Sequence, residues 1–254
     1  MSSPLLRVRG LTRSFYGLRV LMGVDFDVGA GSITALIGPN GAGKTTAFQC
    51  ISGVLRADGG SVVLDGVDVT GWAPDRITRA GMVRSFQIPR VIARLSVLEN
   101  LMLYAPGQAG ESVVAALAGA RGGEDAAFEA AVAVARRLNL MRVANAPASA
   151  LSGGQKKLLE IGRALMARPK LVLLDEPVAG VNPSLAEEIA EQLRGLRDEG
   201  MTFLVIEHHM DLIARLCDPV IVMAEGRKLT EGSFAAVAGD ARVQDAYLGR
   251  RRWA

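Results

Sequence analysis

Gly38-Pro39-Asn40-Gly41-Ala42-Gly43-Lys44-Thr45, followed by Thr46, is the stretch on which the reading of this chain turns. It fits the pattern G-x-x-x-x-G-K-[ST], and its surroundings give that pattern meaning. Before it, Ser32 to Ile37 reads as a short buried strand; after it, Thr45 to Ile51 reads as the first turns of a helix that Gly53 ends. Strand, glycine loop and helix are what a phosphate cradle needs. Glycines let successive N–H groups turn inward toward an anion. The helix start adds its unpaired amides and the positive end of its dipole. In such a cradle Lys44 reaches the β- and γ-phosphates, and the Thr45 hydroxyl holds Mg²⁺.

Downstream, Leu171-Val172-Leu173-Leu174-Asp175-Glu176 supplies the acids that a phosphate loop requires. Four apolar residues predict a buried strand of the parallel type. A carboxylate at its end, Asp175, stands where an Mg²⁺ ligand belongs, directly or through water. Glu176, aimed differently, is placed to polarise an attacking water as a general base. Thr202 to Ile206 predicts the next buried strand, and it runs into Glu207-His208-His209, which holds the only two histidines of the chain. A histidine there either meets a γ-phosphate or positions the water, or is a capped surface residue. Leu151-Ser152-Gly153-Gly154-Gln155 opens a helical run to Ala167. Its glycines suit a helix start that approaches an anion closely, and equally an ordinary N-cap behind a flexible loop.

Weaker signals fill the intervals. Leu5 to Arg9 alternates like an edge strand, and Val24 to Val28 alternates more strictly. Between them Phe15-Tyr16-Gly17 offers an aromatic that either stacks on a base or packs in the core. Val62 to Leu64 and Met82 to Phe86 read as strands, the second delivering Gln87 at its end as a polar terminus or a recruited ligand. From Ser96 the texture turns helical. Leu98, Leu101 and Met102 suggest one helix, and Glu124 to Leu140 a second with Phe128, Val132 and Leu138 on its face. A Gly/Ala-rich stretch, 105–123, lies between them. Asn182-Pro183 caps a helix whose face is Leu185, Ile189, Leu193 and Leu196 and which Gly200 stops. Val220 to Met223 and Arg227 to Thr230 predict strands before a short helical tail.

Composition excludes several classes. The chain has 254 residues, half of them hydrophobic, and no apolar run of spanning length. Charged residues follow Met1 to Pro4 in place of a signal core, and two cysteines, Cys50 and Cys217, are too few for a disulfide framework. A cytoplasmic chain is expected. Net charge is +3, and Arg250-Arg251-Arg252 reads as a solvated cluster or a contact to lipid head groups.

The phosphate loop, Gln87, Leu151 to Gln155, Leu171 to Glu176 and His208 stand in the order and spacing of the ATP-binding subunit of ABC transporters. The chain resembles that family over essentially its whole length, and Leu-Ser-Gly-Gly-Gln is a signature that kinases and GTPases lack. The resemblance implies an α/β fold of the P-loop NTPase ABC type. It would have a mixed or parallel sheet core, an antiparallel β subdomain and a helical insertion. Residues 1–254 would form a single domain, with about 88–150 the insertion and about 232–254 the tail. ATP and Mg²⁺ are the implied ligands, and ATP hydrolysis coupled to transport the implied activity. Tyr16 resembles the adenine-stacking aromatic, His208 the switch histidine, and Gln87 the residue that senses Mg²⁺ and water and links to membrane subunits. In this family Ser152, Gly153 and Gly154 of one subunit, with Gln155 behind them, close on the γ-phosphate held by a second subunit, head to tail.

Finer features resemble the branched-chain (hydrophobic) amino-acid importers, which implies uptake of hydrophobic or branched-chain amino acids or of a related amide such as urea. They are Glu176 to Pro183 with Asn182 in place of the usual aspartate, Val205-Ile206-Glu207-His208 before Met210, Val83 to Gln87, and Tyr247-Leu248-Gly249. His209 departs from that subfamily, which usually has aspartate there; strand-end position favours His208 for the phosphate. The implied partners are transmembrane permease subunits, a second identical or sister ATP-binding subunit, and indirectly a periplasmic or extracellular solute-binding protein, with no nucleic acid. The implied place is the cytoplasmic side of the membrane. A lipopolysaccharide-export ATPase is the neighbouring alternative, which Asn182 disfavours. Soluble ABC ATPases of repair or translation need a coiled-coil insertion or a second nucleotide domain, for which 254 residues leave no room.

Overall fold

The structure, a computed structural model, describes residues 3–85, 91–106 and 123–248. In chain order the elements are β1 (Leu6–Phe15), β2 (Leu18–Val28), β3 (Ile33–Ile37), α1 (Lys44–Ile51), β4 (Gly59–Leu64), β5 (Val67–Asp68), α2 (Pro74–Arg79), β6 (Met82–Arg84), α3 (Val97–Met102), α4 (Glu124–Arg137) and α5 (Gly153–Met166). There follow β7 (Leu171–Asp175), α6 (Pro183–Asp198), β8 (Thr202–Ile206), α7 (Met210–Leu216), β9 (Val220–Ala224), β10 (Arg227–Gly232), α8 (Phe234–Ala238) and α9 (Ala241–Leu248). These elements divide between two compact units. One draws on described residues within 1–84, 170–177 and 193–254; the other on those within 85–169 and 178–192.

The first unit holds both sheets. One is antiparallel, ordered β2-β1-β4-β5, and the other has six strands ordered β10-β9-β3-β8-β7-β6. β3 runs parallel to β8 and β9, and β7 parallel to β6 and β8, while β10 ends the sheet antiparallel to β9. Every residue of β3, β7 and β8 is buried. Strands covered on both faces read as near-continuous apolar runs, and these do, interrupted by Thr34 in β3 and bounded by Thr202 and Asp175 at the ends of β8 and β7. β1 is not the edge strand that its alternation suggested: Leu6, Arg7 and Val8 pair with β2 on one side and β4 on the other. Alternation reports a wet face, and a strand inside a half-exposed antiparallel sheet has one just as an edge strand does. Phe26, Phe48 and Phe203 are the largest side chains of the core, all fully buried. The two-residue link Tyr16-Gly17 between β1 and β2 is left-handed at both positions, φ 50° and 87°, the twist that suits a tight hairpin.

The second unit is helical. Ser96 and Glu99 close a capping box at α3, and Ser152 and Gln155 close one at α5. The buried face of α4 is Ala127, Ala131 and Ala135, with Leu138 just beyond it, not the expected Phe128-Val132-Leu138 stripe. Phe128 is 48% exposed. Alanines four apart let a neighbouring helix come close, which a phenylalanine on that face would prevent. On α5 the same closeness falls on Gly162. A Cβ there would stand 2.9 Å from Leu101, 3.0 Å from Leu138 and 3.2 Å from Val134.

Candidate functional site

The chemistry gathers where β3, β8 and β7, neighbours in the sheet, come to their C-terminal ends, the usual place for ligands in an open α/β sheet. β3 leads into Gly38 to Gly43, and α1 begins at Lys44. Gly38, Gly41 and Gly43 have φ of 149°, 81° and 96°. At Gly38 a Cβ would run into the carbonyl oxygen of Met223, so only glycine lets the loop lie against β9. Pro39 is half-buried, Asn40 exposed, Ala42 buried, Thr45 exposed and Thr46 half-buried. The first-turn N–H groups of α1, from Lys44 onward, have no intrahelical acceptors. Lys44 is 7% exposed, and its ammonium donates to the carbonyls of Gly38 at 2.7 Å and Pro39 at 3.0 Å. Burial lowers its pKa below the ordinary lysine value, against the opposing pull of the Glu176 and Asp175 charges.

Asp175, the last residue of β7, is 2% exposed. Its Oδ2 accepts from the Arg84 guanidinium at 3.0 Å, while Oδ1 is buried with no partner among the described residues. Glu176 follows in the left-handed region at φ 52°, a conformation that turns its side chain away from that of Asp175. Its N–H donates to Ile206 O at 2.9 Å, tying the ends of β7 and β8 together. His208 Nε2 lies 3.1 Å from Glu176 Oε1. His209 turns elsewhere: its Nδ1 lies 2.7 Å from Glu207 Oε1. Lys44, Asp175, Glu176 and His208 thus form one electrostatic cluster.

Tyr16 sits at the β1–β2 hairpin tip with its ring fully exposed. Ser152 to Gln155 belong to the second unit, where Ser152 is the N-cap of α5 and accepts from Gln155 N–H at 3.2 Å. Gly153 is open, whereas a Cβ on Gly154 would collide with Leu185. Gln87 lies outside the described residues, as do Gly249 and Arg250 to Arg252.

Three contacts were not anticipated. The first is Arg84 on Asp175; a cation inside a strand beside an apolar run was the available signal, since such a charge needs a partner. The second is Glu207 beneath the two histidines. The third is Tyr247, which lies beside the Gly38 backbone and whose pKa burial raises.

Against known proteins, the family described as "ABC transporter" matches residues 21–179. A probable branched-chain amino acid transport ATP-binding protein, LivG of Archaeoglobus fulgidus, is 40% identical over 96% of this chain and 95% of its own length. The high-affinity branched-chain amino acid transport ATP-binding protein BraF of Pseudomonas aeruginosa is 37% identical over 98% and 99%. A crystal structure of the ADP conformation of an ATP-binding cassette of an ABC transporter superposes with a TM-score of 0.86 at 36% identity, covering 98% of this chain and all of that one.

Proposed function

The chain belongs to the ABC transporter family, and on that premise we propose that it is the ATP-binding and ATP-hydrolysing subunit of an importer for branched-chain amino acids. The observation that carries the catalytic half is the strand-end cluster: a buried lysine, a buried aspartate with one oxygen unpaired among the described residues, and a glutamate paired with a histidine. Relatives named for branched-chain amino acid transport carry the substrate half. Residues 1–254 act as one ABC ATP-binding domain, with the helical segment of about 88–150 inserted in it.

In this reading the loop from Gly38 to Thr46 wraps the phosphates, and Lys44 exchanges the carbonyls of Gly38 and Pro39 for phosphate oxygens. Tyr16 is free to stack on the adenine. Asp175 Oδ1, without a partner among the described residues, and the Thr45 hydroxyl fit Mg²⁺, a hard cation that needs few protein ligands when phosphates supply the rest. Bound there, the ion neutralises charge on the transferred phosphoryl group. Arg84 holds Asp175 by its other oxygen and so fixes the direction of the free one. Glu176 takes a proton from the attacking water, and His208, bonded to the same carboxylate, orients it. Gln87 serves as sensor of the ion and the water. A second subunit contributes Ser152, Gly153, Gly154 and Gln155 across the γ-phosphate. Permease subunits anchor the pair on the cytoplasmic face of the membrane, served by a solute-binding protein.

The test is a complex reconstituted with permease subunits in vesicles. The wild type should couple ATP hydrolysis to uptake of leucine, isoleucine or valine. Glu176→Gln should retain nucleotide binding and slow hydrolysis by on the order of 10²–10⁴. Uptake of an unrelated solute with none of these three would overturn the substrate and leave the ATPase reading standing.

A further inference from the structure

Between the last residue of β8 and His208 stands a buried carboxylate. Glu207 is 2% exposed. Its Oε1 accepts from the His208 N–H at 2.8 Å and the His209 N–H at 3.2 Å, and meets Nδ1 of His209 at 2.7 Å. Its Oε2 is buried with no partner among the described residues. A carboxylate held from water with one oxygen unused is unfavourable, and a residue needed only to end a strand would not carry that burden. What the arrangement delivers is a fixed turn. Two successive amides converge on one oxygen, and the ring of His209, the N-cap of α7, ties the far side. His208 sits inside that turn with its Nε2 on Glu176.

We propose that Glu207, assisted by His209, is a positioning residue for hydrolysis: it fixes the backbone between β8 and α7 so that the His208 ring meets Glu176, without itself touching nucleotide. The inference rests on the reading above only in naming the step whose rate it sets. Support of α7 alone would alter stability and leave the His208 ring and the turnover number unchanged.

Only two histidines occur in the sequence, so the imidazole region of an NMR spectrum of the full-length chain should contain two ring systems, assigned with His208→Ala and His209→Ala. Glu207→Gln keeps the shape and replaces a charged acceptor by a weaker neutral one. Without nucleotide, Glu207→Gln should move both ring signals. In the permease complex it should lower kcat for ATP by roughly three- to ten-fold with KM within about two-fold, and add nothing in a His208→Ala background. Should Glu207→Gln fail to fold, His209→Ala removes the ring contact alone, and a smaller shift of the His208 signal with a kcat-only loss is expected. An unmoved His208 signal, or losses that multiply in the double variant, overturns the proposal. A wild-type complex without ATPase activity would defeat the functional reading instead, and the ring spectra would still decide the positioning.

Discussion

Lys44 spends its ammonium on two carbonyls of its own loop, so the cradle is held in shape by the group that would later leave it for phosphate. Lys44→Ala removes a charge-assisted contact to the ligand and should weaken nucleotide binding by roughly 10–100-fold, read by calorimetry; unchanged affinity would remove Lys44 from the site. The two thiols behave in the opposite sense. Burial pushes Cys50 up to about 11, against the Arg13 charge and with a smaller push from Asp58, and pushes Cys217 up to about 12, where the Glu207 charge adds to the rise. Only the thiolate reacts, and at pH 8 a thiol titrating near 11 is ionised to about one part in a thousand. Iodoacetamide at pH 8 should therefore leave both cysteines of the folded chain largely unlabelled and label both quickly in denaturant, as followed by mass spectrometry. Rapid labelling of either in native buffer would show that its shell opens.

At the scale of elements, what was legible depended on how local the cause was. The phosphate loop, its strand and its helix are neighbours in sequence, and the runs at β7 and β8 announce burial and end in their own chemistry. Arg84 and Asp175 lie 91 positions apart; their contact exists because β6 and β7 pair side by side, which no single stretch encodes. The α4 face was misread because size suggested Phe128 as the anchor, whereas the packing turns on closeness between α3, α4 and α5. That closeness can be tested. Gly162→Leu would drive a side chain into Leu101, Leu138 and Val134, and although it gains helix propensity it should destabilise the chain by about 1–3 kcal/mol in urea. No loss would mean that these helices part without cost.

For the whole molecule, the proposed reading puts membrane attachment on partner subunits; no helix among the described residues is long and apolar enough to cross a membrane. Dimer closure should then be separable from nucleotide binding. With ATP and Mg²⁺, Glu176→Gln should form a dimer in light scattering, since the ligand that glues the pair is no longer consumed. Adding Ser152→Arg, which puts a bulky charge on the exposed cap of α5, should keep it monomeric while nucleotide still binds; a monomeric Glu176→Gln alone would sink the head-to-tail pairing. The contact of Tyr247 with Gly38 bears on a different matter, the exchange of segments between related cassettes. It makes the last described helix part of the seat of the phosphate loop, although some two hundred residues of chain separate them. A chimera that takes its first 84 residues from one parent and α9 from another would carry a mismatched joint at Gly38, one that aligning the two loops would not foresee. Crossovers that keep both ends from a single parent, and swap only within 85–169, leave that joint whole.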